Sequence, residues 1–442
     1  MMALLLCAAL ASAAAVMATA ASGADQGSGR VLVVQVDNRG LVSEGEEEGP
    51  NANKNLRLAT ASYSSLTPVL NHHYCRRHGY DYLLVQPVVD VARIMASLGG
   101  ASSLQGFDNS STDGRQGIGA LHKGLGQLRA ASWAKLPVLL YLMLQLGGQY
   151  DRVWYLDSDL GISDQPSGGR ALGDKLAEWA SGSKCLGPPR NSSCVTWGLP
   201  DVHTSPMLLF PNSPFGDLEP CAGTFMLRPQ AATSMLLDWW DVDMPSKNFG
   251  LMHEQDALWN LTSGDRVKAL LLEARATAAQ GQGQGQGQGT QTQTQTQGRQ
   301  APALAVDPSR LSRLSVTLLQ EFQFPQGRSL DEKREQCVGG KQWLCHLITT
   351  DGEQRAPFFR QMLARPENGA YDQQRYRAAL RHIQQSLLLR MDMAKAAEVV
   401  ERYRAALRGN KLAGAPLAEA DRLELPRGLL HARPGAAGAG AR

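Results

Sequence analysis

The residues best equipped for chemistry are Asp157 and Asp159, which follow the apolar run Arg152-Val-Trp-Tyr-Leu156 and flank Ser158. A strand ending in Asp-x-Asp sets two carboxylates at the carboxyl edge of a sheet, where open α/β folds bind ligands. Side-chain alternation turns both acids to the same side. Two hard oxygen ligands suit Mn²⁺ or Mg²⁺, with a nucleotide diphosphate completing the shell. The metal then neutralises charge as the diphosphate departs. Asp-x-Asp alone is a short pattern that a surface turn also satisfies; the strand in front of it distinguishes this copy. Asp37 ends another apolar run, Val31-Leu-Val-Val-Gln-Val36, where a nucleotide base or ribose would lie in such a sheet.

The elements that must position these acids read as alternating strands and helices. Val31–Val36 reads as a buried strand, Leu56 to His78 as a helix and Tyr80-Asp-Tyr-Leu-Leu-Val85 as a second strand, an order that suits a right-handed crossover in a parallel sheet. Residues from about 96 to 126 are Gly- and Ser-rich and read as a long loop. Ser132 to Leu146 reads as an apolar helix stopped by Gly147-Gly148, with the Asp-x-Asp strand directly after it. Gly223-Thr-Phe-Met-Leu227 reads as a further strand and Ala231 to Asp241 as a helix. Asp372 to Leu407 has the pattern of one or two amphipathic helices, whose arginines are expected to form a solvated face.

Several segments in fixed order resemble glycosyltransferase family 34, which includes plant xyloglucan xylosyltransferases, galactomannan galactosyltransferases and fungal Golgi galactosyl- and mannosyltransferases. They are Tyr74-Cys-Arg-Arg-His-Gly-Tyr80, Ser132-Trp-Ala-Lys-Leu-Pro-Val138, the strand into Asp157-Ser-Asp159, Ala222-Gly-Thr-Phe-Met-Leu-Arg228, Asp238-Trp-Trp240 and Glu254-Gln-Asp-Ala-Leu258. The resemblance spans about Val31 to Phe359. It implies a GT-A-type nucleotide-diphospho-sugar transferase fold: an α/β, Rossmann-like, mostly parallel sheet with flanking helices, plus C-terminal helices. It also implies metal ligation by Asp157, Asp159 and His346, Lys135 near the donor phosphates, and Glu254 and Gln255 lining the anomeric centre of a retaining reaction. The donor would be a UDP- or GDP-sugar carrying a hexose or pentose, and the acceptor a glycan or glycoprotein hydroxyl. The chain departs from the family after His346, where Thr349-Thr-Asp351 replaces Gly-Cys-Lys, and at Cys221, where the family has Asn. Arg355 could supply the missing cationic contact, because a guanidinium pairs well with phosphate oxygens. Two other readings stay open: a luminal glycosyltransferase-like binding protein without turnover, and an inverting transferase of another Asp-x-Asp family.

Composition sets the compartment and excludes some partners. Lys+Arg number 44 against 41 Asp+Glu, so no strong field favours nucleic acid. Residues 1–23 carry no charge and are dominated by Ala and Leu, the pattern of a signal peptide or a signal anchor. Either translocates the rest to the ER or Golgi lumen or onward to secretion, with membrane contact only if the segment stays uncleaved. Six cysteines beyond that segment are compatible with three disulfides, with Cys185–Cys194 and Cys337–Cys345 as the short-range pairs. Asn109, Asn191 and Asn260 head glycosylation triplets. The expected organisation is a transferase domain over 28–364 interrupted by a disordered Gly/Gln/Thr insertion at 277–303, a helical appendage over 365–411 and a largely disordered tail over 412–442. Oligomeric state is not legible.

Overall fold

A strand that is apolar at nearly every position must be covered on both faces, and Val31–Val36 is. The computed structural model describes residues 30–41, 57–90, 93, 118–122, 127–146, 148–164, 172–180, 195–196, 206–211, 220–242, 254–255, 257–258, 261, 316–318, 335, 337–338, 343–347, 352–409 and 417–429. The strands are β1 Val31–Val36, β2 Asp81–Val88, β3 Ile118–His122, β4 Gln127–Ala130, β5 Arg152–Leu156, β6 Leu160–Ile162, β7 Val195–Thr196, β8 Met207–Pro211, β9 Pro220–Leu227, β10 Val316–Leu318, β11 Leu344–His346 and β12 Leu388–Asp392. The helices are α1 Tyr63–His78, α2 Lys135–Leu146, α3 Leu172–Ala180, α4 Pro229–Trp240, α5 Gly352–Ala364, α6 Gln373–Ser386, α7 Met393–Arg402 and α8 Arg404–Arg408.

Among the described residues, eight strands form one mixed sheet in the order β12-β2-β1-β5-β9-β8-β10-β7. The pairs β12·β2, β2·β1, β1·β5 and β8·β10 are parallel, and β5·β9, β9·β8 and β10·β7 antiparallel. This is the expected α/β architecture: a mostly parallel sheet with flanking helices. The sheet divides two apolar layers. Leu32, Val34, Val153 and Tyr155 pack on one side with α2, α4 and α7. Val31, Val33, Trp154 and Leu156 pack on the other with α1, α5 and α6. Period-two alternation in β1 and β5 therefore feeds both layers from one pair of neighbouring strands.

The local chemistry explains where most elements stop. Helix α1 ends at Gly79 with φ 71°, a left-handed cap conformation, and Tyr80 N–H donates to Cys75 C=O at 2.8 Å. The helix begins at Tyr63, later than Leu56, because residues 57–61 form turns and a bridge instead. Before α2, residues 131–134 form a 3-10 turn, so Lys135 becomes the first residue of the α-helix. The Gly-rich stretch expected to be loop up to residue 126 contains β3, which pairs with β4.

The C-terminal region differs from the expected run of helices. Asp372 caps α6 by accepting from Arg375 N–H, and Asp392 caps α7 by accepting from Ala394 and Lys395 N–H. Between them β12 adds to β2 in parallel, with Leu389 and Met391 turned inward. The arginines are not simply solvated. Arg404 and Arg408 bridge to Asp241, Arg408 also to Asp238, and Arg402 to Asp421.

The cysteine expectation is corrected in part. Cys337–Cys345 is a disulfide, but Cys75 and Cys221 are free and buried, so the set of three bridges does not form. Cys75 packs inside the α1 layer, and Cys221 Sγ accepts from Gly223 N–H at 3.3 Å. The leader, Cys185–Cys194, the glycosylation acceptors Asn109, Asn191 and Asn260, the 277–303 insertion and Thr349–Asp351 lie outside the described residues. No helix among the described residues is long and apolar enough to cross a membrane.

Candidate metal centre and its surroundings

The site begins where β5 runs out. Asp157 N–H continues the pairing with β9 by donating to Gly223 C=O at 2.7 Å, after which the chain turns and Leu160 N–H returns to Asp157 C=O at 3.2 Å. Strand β6 then pairs with β11, Leu160 opposite His346, and Leu347 N–H donates to Asp159 C=O at 3.2 Å. That pairing delivers His346 to the turn: its Nε2 lies 3.1 Å from Asp159 Oδ1. One ligand atom each from Asp157, Asp159 and His346 falls within a cluster 4.8 Å across.

Beneath the turn lies a buried polar network that an apolar strand would not need. Gln35 is the lone polar residue of β1, fully buried, and it donates to Thr67 Oγ1 at 2.9 Å. Its Oε1 accepts from Asn71 at 3.0 Å and Tyr82 at 2.7 Å. Thr67 donates to Ser158 C=O at 2.7 Å, Asn71 Nδ2 to Leu160 C=O at 2.9 Å, and Asn71 Oδ1 accepts from Ile162 N–H at 2.9 Å. Helix α1 therefore holds the backbone on both sides of Asp159, as a rigid ligand set requires.

Gly223 fits the cluster from the other side. A Cβ there would lie 2.4 Å from His346 Cε1 and 3.0 Å from Asp157 Oδ2, so only glycine lets β9 pass this close. The neighbouring Lys135 ammonium, nearly buried, donates to Ala222 C=O at 2.9 Å and Glu254 at 3.1 Å, and lies 3.4 Å from Asp157. Gln255 accepts from Ala222 N–H at 2.6 Å and donates to Pro220 C=O. Both ends of its amide are thus spent on the start of β9.

On the third side, Asp37 at the end of β1 is clasped by Arg39, whose Nε and backbone N–H reach Asp37 Oδ1 at 2.9 Å. Arg39 also donates to Ser158 Oγ and Tyr63 OH and stacks on the Tyr63 ring at 4.5 Å. Arg355 bonds Tyr63 OH at 3.1 Å and pairs with Asp159 Oδ2 at 3.2 Å. All nine residues singled out in the sequence therefore meet in one connected network, from Asp37 to Gln255. Arg39, Tyr63, Tyr155, whose OH donates to Asp157 Oδ1, and the Gln35–Thr67–Asn71 support are additions; a polar residue inside the run Val31–Val36 was the sequence signal for that support.

The electrostatics follow from this crowding. Burial raises the Asp157 pKa; Lys135 and His346 oppose that, and the Asp159 charge adds to it. Burial would raise Asp159 too, but His346, Arg355 and Arg39 overrule it and hold the carboxyl well below its ordinary range. Burial would lower His346, yet Asp159 and Cys221 push it up to about 10. Burial likewise opposes the charges of Lys135 and Glu254, and the two sustain each other: Lys135 sits above its usual pKa and Glu254 below. The Asp157 side chain is 31% exposed against 12% for Asp159 and 5% for His346, so the cluster opens to solvent on the Asp157 side.

No family model matches this chain, and no curated protein matches it. Among solved structures it is similar to the crystal structure of a glycosyltransferase involved in the glycosylation of the major capsid of PBCV-1. The identity is 10%, the alignment covers 75% of this chain and 98% of that one, and the TM-score is 0.34, a distant likeness.

Proposed function

We propose that the protein is a metal-dependent glycosyltransferase that moves a hexose or pentose from a UDP- or GDP-sugar to a glycan or glycoprotein hydroxyl. The observation that carries this reading is the Asp157–Asp159–His346 cluster at the carboxyl end of a central strand, with cations on both flanks. Two carboxylates and one imidazole fit Mn²⁺ or Mg²⁺, oxygen donors suiting both and the histidine favouring Mn²⁺. A cation bound there supplies Lewis-acid stabilisation of the departing nucleotide diphosphate. Lys135 and Arg355 flank the opening and hold positive charge where diphosphate oxygens would approach. Asp37 and Arg39 border the end of β1, the place for a ribose or base. Glu254, fixed by Lys135, lies on the side from which the sugar would project, while Gln255 holds Pro220 and Ala222 at the start of β9.

Membership of family 34, and with it retention of configuration, is supported by the order of the sequence motifs. Residence in the secretory pathway is supported by the apolar first 23 residues and the Cys337–Cys345 disulfide. The decisive test is calorimetry of Mn²⁺ with a panel of UDP- and GDP-sugars, followed by release of nucleotide diphosphate. Donor turnover that requires Mn²⁺ and disappears in Asp159→Ala is the expected result. Donor binding without release would favour a glycan- or nucleotide-binding protein, and absence of both would refute the reading.

A further inference from the structure

A cleft of about 620 Å³ opens where the second half of α1 meets α6 and the turn 366–371. Arg76 and Arg77 from α1 and Arg375 from α6 rim it beside His73, and Tyr371 and Ala379 form a partly buried floor. Thr67, which holds the Asp157–Asp159 turn, is nine residues before Arg76 on the same helix. Arg76 is therefore about 13.5 Å from Thr67 along the helix axis.

The charges here are not balanced within the fold. Arg77 is held by buried Asp164 at 3.2 Å, and Glu367, the acid of the cleft, is taken by Arg365 at 2.7 Å. Neither Arg76 nor Arg375 pairs with a carboxylate among the described residues; Arg375 Nη1 donates to Gly369 C=O at 2.7 Å, which leaves the rest of its fork available. Basic side chains in the last turn of α1 suit the helix dipole, but that does not account for Arg375 brought to the same cleft from α6. Like charges gathered on one cleft repel, and an anion between them relieves that repulsion.

The walls are shaped as well as charged. Gly369 has φ 100° and Ala370 φ 44°, and a Cβ on Gly369 would lie 2.7 Å from Tyr371 Cε2 and 2.9 Å from His73 Cε1. The turn is thus pressed against the aromatic floor. His72, also lining the cleft, keeps Nδ1 out of solvent with no hydrogen-bond partner among the described residues.

We propose that this cleft binds a tetrahedral oxyanion, a phosphate or sulfate ester, carried on a hydroxylated ring that lies on Tyr371 and Ala379. Donors converging from α1 and α6 suit an anion with oxygens in several directions, whereas a planar carboxylate is satisfied by one bidentate arginine. The site does not depend on the transfer reaction proposed above, and its test does not use that reaction.

The experiment titrates the full chain at physiological salt with inorganic phosphate, inorganic sulfate, a hexose phosphate, a hexose sulfate and the neutral hexose, following binding by calorimetry. The expected result is binding of the esters, weaker binding of the inorganic ions and none of the neutral sugar. Arg76→Glu with Arg375→Glu should weaken ester binding by about 10-fold or more, the scale of lost charge-assisted hydrogen bonds. Both side chains are exposed, so circular dichroism should be unchanged and melting lowered only slightly, by the lost Arg375–Gly369 hydrogen bond and the reversed charge at the end of α1; Arg375→Gln alone serves if the double variant fails to fold. Tyr371→Ala should weaken the esters but not the inorganic ions. Ester affinity unchanged in folded charge variants, or no ester binding by the wild type, would overturn the proposal. Inorganic ions binding as tightly as the esters would overturn its ring-bearing half and assign the cleft to the free ion.

Discussion

Replacing Gly223 by alanine adds one methyl group at the tightest point of the metal cluster. The new Cβ would stand 2.4 Å from His346 Cε1, whereas ordinary contacts lie at 3.4–4 Å, so the imidazole must retreat by about 1 Å. Metal–ligand distances tolerate only about 0.2 Å, and the displacement is several times that. His346 cannot simply rotate away, because Asp159 and Cys221 hold its two nitrogens and β11 is tied by the Cys337–Cys345 bridge. Disturbing ligand geometry of this kind costs about 10–100-fold in metal affinity, and that is the loss expected for Gly223→Ala. Calorimetric or paramagnetic-resonance titration with Mn²⁺ measures it without any need for turnover. Gly148→Ala, where an added Cβ meets nothing within 4 Å, is the matched control. Wild-type Mn²⁺ affinity in a folded Gly223→Ala protein would refute the assignment of His346 to the metal.

Other expectations use different readouts. His346 must lose its proton to bind a metal, and because Asp159 and Cys221 raise its pKa above the ordinary imidazole value, apparent Mn²⁺ affinity should rise as pH rises above neutrality. About one proton should be released per ion, measured by calorimetry in buffers of different ionisation enthalpy, and His346→Asn should abolish the release. Asn71→Ala strands Leu160 C=O and Ile162 N–H in the interior, while Gln35 keeps Thr67 and Tyr82, and should cost about 1–3 kcal/mol in denaturant unfolding; an unchanged midpoint would contradict the supporting role of α1. Cys337→Ser opens a bridge that spans a sequence separation of 8 and should lower stability by about 2–3 kcal/mol. A thermal melt with and without reductant separates that loss from a merely local change.

Some of this was legible before any coordinates. Val31–Val36 and Arg152–Leu156 declared themselves because a doubly covered strand is apolar at almost every position. The Asp157–Asp159 turn followed from the second of them. His346 was legible only through motif order, since nothing local marks a histidine that becomes a neighbour of Asp159 through β6–β11 pairing. Arg39 was missed for the same reason: its partners, Tyr63 and Ser158, lie on other elements. Leu388–Asp392 read as helix because its neighbours do, and pairing with β2 overrides local preference. Arg404 and Arg408 read as solvated because their acidic partners on α4 are more than 160 residues away in sequence.

The pairing of β12 with β2 also sets a timetable for synthesis. Leu388 lies opposite Leu84, 304 positions later in the chain. At about 5–20 residues per second, roughly 15–60 s pass between translation of the two. Throughout that interval the outer edge of β2, with Leu83, Leu84 and Val85 in its run, has no strand beside it and is a template for pairing with any other extended chain. A chain cut short before residue 388 would leave that edge of β2 uncovered.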